Sequence, residues 1–404
     1  MLLALTAALA LTPSPQSTQQ GVNTWQFVST ADFSTPQRRH ECGGTNATGD
    51  FLLLGGRGFR VVDRYDPIAN VWTKGDFSPL EIHHFQPVER NGLVWIIGAF
   101  TGPFPNETPL PEIRLYEPAT DTWSIGPTIP AARRRGSAGV VLYEDDFYVL
   151  GGNTLGHNGG FVPWFDRYDP DTDTWTELPD APHARDHFSA VVIGNKLYAA
   201  AGRQSQLPQV QANTLPIVDV FDFESGQWST VPTPIPTERA GVVSVGFGEH
   251  LVVAGGESAT QAHAEVEALD VLTQQWIALP DLIQGRHGAA GALLGSELHV
   301  TAGVPNLGGS PELNTHERID LALVLTPSAG NLLENPEFDT NVAGWSGGAF
   351  ASAGSIAGGS LEVVGTTASQ TVVASDLTNY RLRGVYDLSG AGSGTVRIEA
   401  LDLA

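Results

Sequence analysis

Tyr168-Asp-Pro-Asp-Thr-Asp-Thr-Trp175 decides the fold, because the chain repeats it. The same seven-residue step recurs in Tyr65-Asp-Pro-Ile-Ala-Asn-Val-Trp72, Tyr116-Glu-Pro-Ala-Thr-Asp-Thr-Trp123, Phe221-Asp-Phe-Glu-Ser-Gly-Gln-Trp228 and Leu269-Asp-Val-Leu-Thr-Gln-Gln-Trp276. With Trp25 the tryptophans lie 47, 51, 52, 53 and 48 residues apart, a period that marks an array of similar supersecondary units. Pro cannot donate to a ladder, and Asp, Asn, Thr and Gly favour turns. Each segment therefore reads as a strand, a tight turn and a second strand opening at Trp.

A second strand pair precedes each hairpin. Arg185 to Gly202 shows its form: an apolar run, a Gly-Asn turn at 194–195, a second apolar run and a closing glycine. The second runs end at Gly55-Gly56, Gly98-Ala99, Gly151-Gly152, Ala201-Gly202, Gly255-Gly256 and Ala302-Gly303, where small residues permit close backbone approach or positive φ. Four strands per unit, repeated radially, predict an all-β propeller.

Arg, an apolar strand, Gly-Gly, Tyr-Asp-Pro and Trp together resemble the Kelch repeat. The resemblance covers residues 22–321 and implies a six-bladed Kelch β-propeller. The unit from Arg286 to Leu321 lacks a following Trp, while Asn23-Thr-Trp25-Gln-Phe-Val has a Trp with nothing before it. Joining the two completes the sixth blade with an N-terminal strand and removes free sheet edges. After a linker over 326–330, Asn331-Leu-Leu-Glu-Asn and Gly344-Trp345 look like the start of a carbohydrate-binding-module jelly roll, so 331–404 is expected to form an incomplete β-sandwich. The propeller domain is expected over 21–325.

Composition narrows the function. A net charge of −23 disfavours nucleic acid and anionic membrane as partners. The only lysines are Lys74 and Lys196, a bias that a GC-rich genome also produces. Cys42 stands alone, so no intrachain disulfide or cysteine metal cluster exists. The apolar run to Leu11, too short to span a bilayer, makes 1–20 read as a signal peptide and linker, although a basic start is missing. The expected location is secreted, periplasmic or cell-surface, and the expected state a monomer.

Counting back seventeen residues from the second member of each small-residue pair gives Arg39, Ile82, Arg135, Arg185, Arg239 and Arg286. The resemblance to Kelch propellers implies that this position opens the innermost strand at one mouth of the channel. His40, His83, His84, His187 and His287 follow one or two residues later. The candidate ligand site is therefore Arg39, Arg135, Arg185, Arg239 and Arg286 with His40, His84, His187 and His287. Two readings stand. Either the ring is a positive focus for a carboxylate in an acidic protein, or these residues belong to the repeat and are satisfied by carbonyls and acidic neighbours. Long connections at 100–113, 153–165 and 203–217 suit function or simple insertion.

No cofactor or metal is expected. Asp169-Pro-Asp-Thr-Asp173 lacks the glycine and closing glutamate of a calcium loop, and His83-His84 should point to opposite faces of a strand. No nucleophile triad or phosphate loop is evident. The favoured reading is an exported, non-enzymatic propeller that binds a protein or glycan ligand. The alternatives are a carbohydrate-active enzyme, resembling sialic-acid mutarotase or more distantly galactose oxidase, and a structural surface protein.

Overall fold

The computed structural model describes residues 23–325, 381–388 and 392–399. The chain divides into two compact units, Met1–Thr326 and Pro327–Ala404. In the second, strands Arg381–Leu388 and Gly392–Glu399 form an antiparallel hairpin. The rest of the expected sandwich, the linker and the 1–20 segment lie outside the described residues.

The first unit holds six four-stranded antiparallel sheets. From innermost to outermost strand, blade 1 is Cys42–Ala47, Asp50–Gly55, Val61–Asp66 and Val71–Phe77. Blade 2 begins at Pro87–Arg90, blade 3 at Gly139–Tyr143, blade 4 at Ala190–Ile193, blade 5 at Val243–Phe247 and blade 6 at Ala290–Leu294. Innermost strands of neighbouring blades touch all the way round, and blade 6 meets blade 1. The outermost strand of blade 6 is Gln26–Phe27, with Gln26 opposite Arg318 and Phe27 opposite Glu317. Trp25 fastens it by donating from Nε1 to the Pro280 carbonyl at 2.8 Å. The complementary deficits of the two ends thus close the ring.

The repeat motif has a local physical cause. Seven-residue spacing makes the aromatic and the tryptophan cross-strand partners: Tyr65 faces Trp72, Tyr116 faces Trp123, Tyr168 faces Trp175, and Phe221 faces Trp228. Their ring centroids lie 4.7 to 5.3 Å apart, a spacing that stabilises aromatic pairs by about 0.5–1.5 kcal/mol. The aspartate after the aromatic closes the turn, as where Asp169 Oδ1 accepts from the backbone N–H groups of Asp171 and Thr172. Five residues after the aromatic, Asn70, Asp121 and Asp173 adopt φ of 52 to 55°. Each also accepts from the hydroxyl of its own Tyr65, Tyr116 or Tyr168. Asn and Asp tolerate that left-handed conformation, which is why they recur there. Apolar clusters fill the spaces between adjacent blades, such as Val243, Val252, Val266, Leu298 and Ile319 between blades 5 and 6.

Candidate functional site

A channel of about 460 Å³ runs between the innermost strands, walled by small and branched apolar side chains including Val140, Val191, Val243 and Ala292. The chemistry collects at one mouth, where the segment before each innermost strand meets the loop after each small-residue pair. Short antiparallel bridges join His83 to Phe100, Gly136 to Asn153, Asp186 to Arg203, Ala240 to Glu257 and His287 to Val304.

The expectation of an Arg-lined mouth is corrected here. Arg39, Arg135, Arg185, Arg239 and Arg286 do occupy equivalent positions, yet each is at most 1% exposed. Arg185 donates to the carbonyls of Ala199, Ala201 and Ile217 at 2.8 to 3.0 Å and to Asp219 Oδ2 at 2.7 Å. Arg135 pairs with Asp166 at 2.8 Å and Arg239 with Glu267 at 2.5 Å, while Asp63 holds Arg39 and Glu317 holds Arg286. Each guanidinium thus ties the end of the second strand to an acid on the third. Burial lowers Arg135 to a pKa of about 10, which keeps it charged at neutral pH. The guanidinium groups are enclosed and paired within their own blades, so the second of the two sequence readings holds for the arginines. Blade 2 supports this by exception. Ile82 replaces the arginine, and the acid's place on the third strand, two residues before Tyr116, is taken by Arg114, which turns to Glu112 instead.

The residue two positions beyond each arginine behaves differently. Glu41, His84, Ser137, His187, Gly241 and Gly288 all adopt φ between 54 and 66°. Around the ring each donates its N–H to the previous member's carbonyl at 2.7 to 3.0 Å. His187 is the exception and donates to Ser137 Oγ at 3.0 Å. Glycine takes this conformation without penalty, but glutamate and histidine take it at a cost of order 1–3 kcal/mol, and such strain concentrates at functional positions. It also breaks the strand alternation that argued against His83-His84: the two imidazoles meet, Nδ1 to Nδ1, at 2.6 Å.

His84, His157 and His187 converge, with ring centroids 4.8 to 5.3 Å apart. His157 comes from the 153–165 loop. Its Nδ1 bonds Glu107 Oε1 at 2.8 Å, and Arg57 grips the same oxygen at 2.6 Å. His187 Nδ1 bonds Asp186 Oδ1 at 2.5 Å, and Ser205 Oγ donates to that oxygen at 2.6 Å. Arg203 pairs with Glu257 and donates to Ser205 Oγ at 2.9 Å. Glu41 Oε2 lies 3.3 Å from His84 Nε2. Burial lowers the pKa of His84 and His187 and, with Arg57 adding to it, takes His83 to about 4, so all three rings are neutral at pH 7. Burial raises the Glu41 pKa, but proximity to His187, His287, His40 and Arg57 overrides it and leaves it at about 2.

Of the sequence-predicted histidines, His84 and His187 join this cluster. His40 sits aside, bonding Glu312 at 2.7 Å, and His287 bonds the Asn306 and Gly308 carbonyls at 3.0 and 3.1 Å. Sequence reasoning missed Glu41, Arg57, Glu107, His157, Asp186, Arg203, Ser205 and Glu257 as site residues. For Arg57, Arg203 and Glu257 a signal existed: each directly follows a small-residue pair. Cys42 is buried nearby, and burial pushes its thiol up to about 12, so it is an inert thiol. No helix among the described residues is long and apolar enough to cross a membrane.

With six four-stranded blades, a buried arginine in five of them and Tyr–Trp pairs on the outer hairpins, the architecture is that of a Kelch propeller. The model of the KLHDC2/KLHL20/DRC7 Kelch-repeats domain matches residues 88–303, and the chain belongs to the Kelch-repeat family. It is 30% identical over 254 residues to Kelch-like protein terF of Aspergillus terreus, covering 60% of this chain and 54% of that protein. Over 216 residues it is 26% identical to Kelch-like protein 35 of Mus musculus, covering 52% of this chain and 34% of that one. It thus spans about half or less of the length of these relatives. Among solved structures, one titled "Structure of YjhT" superposes with a TM-score of 0.59 at 15% identity, covering 70% of this chain and 95% of that one, a likeness of fold.

Proposed function

We propose that this propeller is a protein-binding module that docks a polypeptide on the loop face surrounding the histidine-rich mouth. The observation that carries this reading is a rim of large apolar side chains. Phe59, Phe104, Leu155, Leu207 and Leu307 are 40 to 67% exposed, and each stands on a loop following a small-residue pair, in five of the six blades. Other exposed large apolar side chains, such as Phe33, Ile68, Phe77, Ile125, Leu272 and Ile283, are spread over the outer strands, hairpin turns and connections and do not recur at one equivalent loop. The loops also brace one another. Phe104 packs on His157 at 4.9 Å, and Asn158 Nδ2 donates to the Pro105 carbonyl at 2.7 Å. An apolar rim on a rigid, cross-braced loop surface suits polypeptide recognition, where aromatic anchors dominate binding energy. An anionic sugar has less to hold here, because the five arginines are saturated. Export, resting on the apolar run over 2–11, belongs to the same proposal.

The test compares wild type with a Phe59→Ser/Phe104→Ser/Leu207→Ser variant by cross-linked affinity capture from the source organism. The substitutions are exposed and should each change stability by no more than about 0.5 kcal/mol. A discrete partner captured by wild type and lost from the variant supports the reading. Equal capture by both, or none by wild type, overturns it.

A further inference from the structure

We propose that His84, His157 and His187, with Glu41 as a fourth donor, form a site for a divalent late first-row transition-metal ion. The inference is independent of the polypeptide-docking reading, because it rests on the interior of the mouth and not on the rim.

One ring nitrogen from each histidine lies within 4.8 Å of those of the other two. Hydrogen bonds decide which nitrogen faces inward. His83 Nε2 must donate to the Gly102 carbonyl at 3.0 Å, so the neutral His83 accepts at Nδ1 from His84 Nδ1–H. His157 Nδ1–H is used by Glu107, and His187 Nδ1–H by Asp186. All three rings are therefore locked in the tautomer that leaves a lone pair on Nε2. This is the arrangement seen around metal-ligating histidines, whose second nitrogen is held by a carboxylate or another acceptor.

Two of these inward nitrogens, His84 Nε2 and His187 Nε2, are buried without any hydrogen-bond partner. Their side chains are only 1 and 2% exposed. The third, His157 Nε2, has one long contact, 3.4 Å from Arg203 Nη2, which a bound ion would displace. Glu41 Oε2 stands 3.3 Å from the His84 lone pair with no proton between them, a repulsive pairing that a cation would turn into shared ligation. A tetrahedral ion with nitrogen ligands at 2.0–2.1 Å needs ligands about 3.4 Å apart, so the nitrogens have to close by at most about 1.4 Å. A cavity of about 60 Å³ borders Glu41, His84 and His187, but not His157, and adjoins the site on the side of those three residues.

Charge agrees. Glu41, Glu107, Asp186 and Glu257 are set against Arg57 and Arg203, and four carboxylates less two guanidinium groups leave two negative charges with the imidazoles neutral. Three imidazoles and one carboxylate suit zinc, copper, nickel or cobalt better than calcium or magnesium, which favour oxygen ligands.

The experiment uses untagged full-length protein stripped with a chelator, then titrated with Zn²⁺ by calorimetry and with Co²⁺ by visible absorption. The expected result is one ion per chain, with a Co²⁺ band intensity typical of low-coordinate nitrogen ligation. His187→Gln should weaken Zn²⁺ binding by at least 100-fold. Glu107→Gln, which alters the partner of His157 Nδ1 and of Arg57 but removes no ligand nitrogen, should weaken it 10- to 100-fold. His183→Gln, whose ring bonds Asp219 and no residue of the cluster, should leave it unchanged. Should His187→Gln fail to fold, Glu107→Gln and the wild-type stoichiometry carry the test. Absence of saturable one-to-one binding, a Co²⁺ spectrum like that of the aqueous ion, or equal affinity in all variants would overturn the assignment.

Discussion

The arginine layer and the histidine layer lie two residues apart in sequence, and the molecule treats them in opposite ways. At the first position every guanidinium is enclosed and its donors are spent on strand carbonyls and an acid of its own blade. At the second, side chains are carried on strained backbone, leave ring nitrogens unpartnered and gather donors from several blades. A position that recurs in five of six blades serves the blade, because each copy must satisfy the same local need. Positions that differ between blades, Glu41, His84, Ser137 and His187 against Gly241 and Gly288, break the ring's symmetry, and a site needs that asymmetry.

The strongest way to break this contrast is to remove one arginine. Arg286→Met should cost about 3–5 kcal/mol in urea unfolding, because it strands Glu317 without its cation. Glu317 also faces Phe27 of the closing strand, so the loss should reach the ring closure. A cost under 1 kcal/mol would place the arginines outside the folding account. The paired change sharpens it: Arg239→Met/Glu267→Leu should recover most of the loss of Arg239→Met alone, since an apolar pair of similar volume often replaces a buried ion pair at little cost. Failure to recover would mean that the strand carbonyls freed by the missing guanidinium, those of Gly255 and Val253, dominate.

Acid should act on the histidine layer before the arginine layer. His83, His84 and His187 have folded pKa values depressed below 6.5, His83 to about 4, so the unfolded chain binds protons that the folded chain refuses. Their stability contribution is complete above pH 6.5 and is lost as pH falls from there toward the folded values, at up to about 1.4 kcal/mol per unit for each ring. Urea midpoints of the metal-free protein should therefore drop between pH 7 and pH 5, and His83→Gln should flatten that slope. A pH-independent midpoint over this range would show that the rings are not held neutral.

Much of the fold was legible because its period is local. Tyr and Trp seven residues apart are cross-strand partners, and the unmatched Trp25 announced the strand that closes blade 6. The site was half legible. Counting locates the arginines but leaves two roles open, although the acid two residues before Tyr65, Tyr168, Phe221, Leu269 and Ile319 (Asp63, Asp166, Asp219, Glu267, Glu317) is present wherever the arginine is, and Arg114 stands where Ile82 replaces it. The histidine cluster could not be read, since Glu107 and His157 lie on loops without a repeat. The positive φ at His84 also defeats the alternation rule that set His83 and His84 apart.

The most direct measurement sets the two layers side by side in one blade. Arg185→Met and His187→Gln, two residues apart, are unfolded in urea at pH 7.5 in the presence of chelator. Arg185→Met should lose about 3–5 kcal/mol by leaving Asp219 without its guanidinium. His187→Gln should lose no more than about 1 kcal/mol, the order of one hydrogen bond, because Ser205 still satisfies Asp186. Equal losses, or a larger loss for His187→Gln, would contradict the division between a structural arginine layer and a functional histidine layer.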